Sequence, residues 1–107
     1  KKIPQKVIKA ITEYIDVLKK EIVVEKVFLY GSYARGTAQA GSDIDIAVIS
    51  KNFGSNLHEA GKILFRSLWK VKNANIEPMP YTPADFYSKQ PSPLLYEIKK
   101  HGIEISI

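Results

Sequence analysis

Gly31-Ser32-Tyr33-Ala34-Arg35-Gly36, followed by Ser42-Asp43-Ile44-Asp45-Ile46-Ala47-Val48, is the stretch that decides how this chain folds. An apolar run, Val27-Phe28-Leu29-Tyr30, precedes the glycine-rich turn. A second apolar run opens on two carboxylates one residue apart. Gly31 ends the first run and lets the backbone approach a ligand with no side chain in the way. If residues 32–35 turn helically, their free N–H groups face an anion-binding position. The Ser32 hydroxyl adds a donor and Arg35 adds positive charge. Strand alternation puts Asp43, Asp45, Ala47 and Ile49 on one face and Ile44, Ile46 and Val48 on the other. The two aspartate Cβ atoms then stand about 6.5–7 Å apart. Carboxylates that close repel unless a cation lies between them. Hard divalent ions such as magnesium take carboxylate and phosphate oxygens. Each half alone has a plain reading, a tight ligand-free turn or an exposed strand end. Together they point to one site for a metal and a phosphate, because a carboxylate in an apolar strand is costly if unpaired.

Outward from this stretch, the order of elements reads α-β-turn-β-α-β-α-α-β. Pro4 opens a helix whose stripe is Val7, Ile8, Ile11, Tyr14, Ile15 and Leu18. Residues 23–30 are rich in β-branched and aromatic side chains and read as a strand. The second strand is expected over 43–49 and a turn over 51–55. Asn56 caps a helix expected to reach Lys72, with Leu57, Ala60, Leu64, Leu68 and Val71 along one side. A third strand is expected over 75–79, pushed to an edge or terminated by Pro78 and Pro80. Thr82-Pro83 and Ser92-Pro93 are cap-plus-proline starts of two further helices, the second ending near Gly102 as a C-cap. Residues 103–107 alternate as a last strand. The expected fold class is α+β, a two-layer mixed β-sheet with helices packed on one face.

The 107 residues are expected to form a single domain, 1–107. Hydrophobic residues make up 45%, enough for one core and too many for a disordered chain. The absence of cysteine excludes disulfides and thiolate metal sites and fits a reducing, cytoplasmic setting. No apolar run reaches the about 18 residues of a membrane span. No leader is visible, although the chain starts at Lys1 without a methionine. The net charge of +5 is spread over dispersed lysines with no basic tract, which favours a solvated surface over a nucleic-acid groove.

The residues from Gly31 to Val48 resemble the GSxARGxxxxxSDxDxxV signature of minimal nucleotidyltransferases of the DNA polymerase beta-like superfamily, with every fixed position met. Ile76-Glu77-Pro78, Thr82-Pro83-Ala84-Asp85-Phe86 and Ile98-Lys99-Lys100-His101-Gly102-Ile103 look like later segments of that family. The resemblance implies a nucleotidyltransferase fold and transfer of a nucleoside monophosphate from a nucleoside triphosphate, expected to be ATP, with pyrophosphate released. It implies two Mg2+ ions bridging Asp43, Asp45 and the phosphates. Gly31, Ser32, Arg35 and Ser42 are the expected nucleotide-binding residues, Ser42 also fixing its loop or capping the second strand. The family carries a third carboxylate on a neighbouring strand, and Glu77 is the candidate here as metal ligand or base. Most short members have aspartate there.

A chain of this size resembles the catalytic half alone, so its acceptor-binding surface has to come from homodimerisation or a second protein. Many chains of this kind are antitoxins paired with a small helical HEPN ribonuclease, which they neutralise by binding or by attaching AMP to a tyrosine. The alternative is a non-catalytic module acting by complex formation. His58 and His101 lack metal-ligand spacing and read as surface residues. Trp69, with Phe65 and Leu68, reads as core or interface. Tyr81, Phe86 and Tyr87 read as packing for the short C-terminal helices, or as one wall of the cleft.

Overall fold

The structure, a computed structural model, describes residues 3–54, 56–71 and 75–107. Helix α1 (Gln5–Leu18) starts directly after Pro4, whose carbonyl accepts from the N–H groups of Val7 and Ile8. Its buried residues are Val7, Ile11, Tyr14, Ile15 and Leu18, the stripe that the spacing indicates. There follow β1 (Lys26–Tyr30), α2 (Ser32–Arg35), β2 (Ile44–Ile49), a 3-10 turn (Lys51–Phe53) and α3 (Leu57–Leu68). The chain closes with β3 (Ile76–Tyr81), α4 (Pro83–Phe86), α5 (Pro93–His101) and β4 (Ile103–Glu104).

Several boundaries differ from expectation for local reasons. β1 begins at Lys26 and not Val23, because Val23 is exposed and its N–H donates to the Asn52 side chain instead of to a strand. β3 runs two residues past Met79, and the Tyr81 carbonyl accepts from Ser50 N–H. α3 ends at Leu68; Lys72, the expected helix end, and Ser55, the expected end of the turn, lie outside the described residues. Gly102 does cap α5, but with φ −71° and not in the left-handed conformation. Its glycine is required by contact: a Cβ there would run into the Ile98 carbonyl oxygen and stand 3.3 Å from the Leu29 carbonyl oxygen.

The sheet order is β3-β2-β1-β4. β1 is antiparallel to both β2 and β4, and β2 is parallel to β3. The alternation read along β2 holds. Ile44, Ile46 and Val48 join Val27, Leu29 and Ile76 under α1 and α3 in the larger core cluster. Burial of each such Ile or Leu contributes about 1.5–3 kcal/mol. The Tyr14 hydroxyl donates to the Leu64 carbonyl at 2.8 Å and ties the two long helices together inside that core.

The mixed α+β sheet is the expected one, with α1 and α3 together on one face. The expectation of helices on that face alone needs correcting for α4 and α5. They cover part of the reverse face, where Phe86, Leu95 and Ile98 pack on Phe28, Ala47 and Ile49. The cause is the second apolar row of the central strands, which reads Phe28 on β1 and Ala47-x-Ile49 on β2 and needs a cover of its own. Asp45 occupies the same row just beyond that cover.

Candidate active site

β1 ends at Tyr30 and the chain turns sharply through Gly31, at φ 76° and ψ −149°. That region of backbone space is open to glycine and strained for other residues. Residues 32–35 then make the single helical turn, α2, closed by an Arg35 N–H bond to the Gly31 carbonyl at 3.0 Å and by Gly36 in the left-handed conformation. The first N–H groups of such a turn have no partner within it.

Asp45 lies on β2 directly opposite Tyr30 in the antiparallel register. Its carboxylate packs against Gly31. A Cβ at position 31 would collide with Asp45 Oδ2 and lie 3.3 Å from Cγ. Turn and carboxylate, separate in sequence, therefore form one surface, and the glycine is needed both for its φ and for this approach. Asp45 also sits in register with Glu77 on the parallel strand β3. Tyr30, Asp45 and Glu77 thus form a row across three strands on one face, with Asp43 just before β2 and on the same side by alternation. Asp45 is half-buried while Asp43 and Glu77 are exposed.

Electrostatics register the crowding. Asp45 is harder to ionise than an ordinary aspartate, first because burial removes water, then because Asp43 and Glu77 add negative charge; Arg35 pulls the other way. The Tyr30 hydroxyl is pushed up to about 12 by burial and by the charges of Asp45, Tyr81 and Glu77. Among the described residues, no group of three His, Asp or Glu side chains is close enough to hold a metal ion unaided. The donors nevertheless fit a hard cation. They are carboxylate oxygens that already feel one another, and magnesium ordinarily takes one or two carboxylates and completes its shell with phosphate and water.

A cavity of about 750 Å³ opens beside the turn, lined by Tyr30, Gly31, Ala34, Arg35, Glu97 and His101 among others. That volume suits a small-molecule ligand. Gly31, Arg35, Asp43, Asp45 and Glu77 therefore gather on one side of the sheet, and Ser32 opens the helical turn beside them. Ser42 stands apart. Its hydroxyl accepts from Gln39 N–H at 2.8 Å, and it lines a different depression with Tyr33 and Ile44. It fixes the loop that delivers Asp43. Tyr30 is the site residue missed in the sequence, because alternation places it on the face of Phe28 but only the antiparallel register makes that the Asp45 face. Glu97 and His101 reach the cavity only through the return of α5, which no local pattern encodes. Phe86 is buried and packs at 5.4 Å on Phe28, whereas Trp69 and Phe65 are exposed and form no part of the core.

No helix among the described residues is long and apolar enough to cross a membrane. A nucleotidyltransferase of Sulfolobus solfataricus, provisionally named as such, has a similar structure, with a TM-score of 0.64 and 22% identity over 75% of this chain and 70% of that one. So does a chain of a toxin–antitoxin complex crystallised with AMP-PNP, with a TM-score of 0.59 and 24% identity over 89% of this chain and 71% of that one. A curated protein of Methanocaldococcus jannaschii, provisionally named a protein adenylyltransferase, is 36% identical over 73 residues. The match takes in 64% of this chain and 49% of the relative, so the chain spans about half the length of that protein. The family model described as polymerase beta, nucleotidyltransferase matches residues 12–106, and the chain belongs to that family.

Proposed function

We propose that the chain transfers a nucleoside monophosphate, AMP from ATP, to an acceptor hydroxyl in a metal-dependent reaction. The observation that carries this reading is the contact of the Asp45 carboxylate with the Gly31 turn, with Glu77 in register beside it. A phosphate-binding turn and a cation-binding carboxylate pair then share one surface. The triphosphate lies over α2, held by its N–H groups, Ser32 and Arg35. Asp43 and Asp45 would hold the divalent ions, which would supply a lowered pKa at the attacking hydroxyl and neutralise charge on the leaving oxygen. Glu77 takes the acceptor's proton. The acceptor oxygen bonds to the α-phosphorus, the bond from that phosphorus to the pyrophosphate oxygen breaks, and the pair of electrons leaves with pyrophosphate. The rest of the chain's work is positioning.

The acceptor in this reading is a tyrosine on a partner protein, a HEPN-type toxin that the chain neutralises as its antitoxin. The family, the adenylyltransferase name of the curated relative and the toxin–antitoxin origin of a structural neighbour support it. A second reading has the chain act by complex formation alone. It is favoured by the absence of a ready three-carboxylate cluster among the described residues.

The test is calorimetric titration of a non-reactive ATP analogue with Mg2+ into the native chain and into Asp43→Asn/Asp45→Asn. Binding that requires both the metal and the aspartates supports transfer. No binding to the native chain puts the complex-forming reading first.

A further inference from the structure

Helix α3 carries large apolar side chains on its outer side. Leu57 is 69% exposed, Phe65 63% and Trp69 89%. With Gly61 they form one row at spacings of four, a ridge along the helix surface. Exposed apolar groups scattered singly are ordinary, but a contiguous row with a tryptophan and a phenylalanine marks a contact surface.

Gly61 is the telling member. A glycine inside a helix costs about 1 kcal/mol relative to alanine. Its backbone is not among those with positive φ, and a Cβ added there would meet nothing within 4 Å. Nothing among the described residues requires it. A second backbone crossing the helix at that point would, because a glycine is a notch into which a large side chain of another helix fits. Gly61 lines depressions on both sides of the ridge, of about 670 Å³ toward Met79 and Leu94 and about 560 Å³ toward Lys62 and Arg66. The first depression follows the β3 edge, where a further strand cannot add. The Asn75 and Tyr81 carbonyls face β2, so alternation turns Pro78 and Pro80 outward, with no N–H to offer. Docking here has to be by side chains.

The next row on the helix is His58, Lys62 and Arg66, continued by Lys70 just past its end, with no acid in it. Lys62 pairs with Glu59 at 3.5 Å, and Arg66 and Lys70 pair with Glu21 at 2.7 and 3.6 Å, all at sites open to solvent where such pairs hold little energy. In an antiparallel pairing with a second copy, Phe65 would enter the notch of its counterpart, but Lys62 and Arg66 would meet their own equivalents. A helix with acidic residues along one flank meets no such repulsion.

We propose that α3 is the docking site for an amphipathic helix of another protein. That helix sets a large apolar side chain over Gly61 and an acidic flank against the Lys62–Arg66 row. Met79, which lines the first depression, is one same-face step along β3 from Glu77. The surface names the contact for the partner in the function proposed above, yet it does not depend on the transfer chemistry.

Trp69 is the only tryptophan, so its emission reports this surface directly. The probes are two synthetic helical peptides with the same leucine ridge, one flanked by glutamates and one by lysines. Expected are a monomeric chain, a saturable blue shift with the glutamate peptide, and at least about tenfold weaker binding of the lysine peptide. Gly61→Leu, at an open helix position, should leave circular dichroism unchanged and weaken the glutamate peptide at least about tenfold. Asp45→Asn should bind it like the native chain, so failure of transfer and failure of docking are read separately. No shift with the glutamate peptide, equal binding of both peptides, or indifference to Gly61→Leu overturns the proposal. So does a dimer of the chain alone whose formation shifts Trp69 emission, which assigns the surface to a second copy.

Discussion

Asp45 and Glu77 face each other across one strand register, yet the fold treats them differently. Asp45 is on β2, which has a hydrogen-bonded neighbour on each side and packed rows on both faces. It is half-buried, lies against Gly31, and its carboxyl resists ionisation. Glu77 is on β3, at the sheet edge, exposed, and next to a proline. One carboxylate is held before any ligand arrives, and the cost of holding it is electrostatic. The other keeps its rotamer freedom, and its position is set by whatever binds beside it. A transfer site benefits from the first arrangement for the metal and from the second for a group that must meet an incoming acceptor.

The largest effect expected of this difference is on the reaction. Asp45→Asn should lower AMP transfer by about 10³-fold, the scale on which loss of positioned electrostatic stabilisation is felt. Glu77→Gln should lower it by about 10²-fold, as for loss of a general base. Its unfolding free energy should stay within about 0.5 kcal/mol of the native chain, because the residue is exposed. Transfer of label from α-labelled ATP, followed beside urea unfolding, checks both. Equal losses at the two positions would erase the distinction between a fixed and an adjustable carboxylate.

Gly31→Ala comes next and tests how firmly Asp45 is held. Positive φ and collision with Oδ2 together should cost about 1–3 kcal/mol of stability. Repeating it in an Asp45→Ala background separates the two causes. If the carboxylate is the obstacle, the penalty shrinks by more than the about 0.5 kcal/mol tolerance of additivity. If the penalty is the same in both backgrounds, backbone strain explains it, and Asp45 is freer than its contact with Gly31 indicates.

The same contrast explains what could be read in the sequence. Asp45 was legible because period-two alternation places it, and its cost in an apolar strand flags it. The Gly31 turn was legible from its glycines and from the resemblance they carry. Glu77 was identifiable as a candidate, but its pairing with Asp45 depends on a crossover through α3, and no residue near Glu77 encodes that register. The cover of the reverse face by α4 and α5 was missed for the same reason. Capping residues do not help there. Thr82 and Ser92 reveal where those helices begin, as their side-chain caps to Asp85 and Leu95 N–H confirm, but not where they pack. Trp69 shows the opposite limit. Its row on α3 has the spacing of a core stripe, and only the packed fold shows that the row faces outward.

The smallest expected effect concerns stability and pH. The folded chain holds a proton on Asp45 more tightly than the unfolded chain does, because burial and the neighbouring carboxylates disfavour the charge. Over that interval the native state binds more protons, so this group makes stability fall as pH rises from the ordinary aspartate value of 3.8 through the folded one. Well below 3.8 both states are protonated and the group contributes nothing. Asp45→Asn should therefore unfold at a higher urea concentration than the native chain at neutral pH, and the difference should vanish in acid. Glu77→Gln should change the slope little, since burial and Asp43 weigh more on Asp45 than its charge does. A divalent cation favours the ionised carboxyl, so Mg2+ with the ATP analogue should cancel the native chain's loss of stability and leave Asp45→Asn unaffected. A native chain that gains stability relative to Asp45→Asn over this interval would mean that Asp45 is stabilised as a charge by the free protein, the Glu21 pairing with Arg66 and Lys70 being common to both chains. The fixed carboxylate would then carry no electrostatic cost for a cation to relieve.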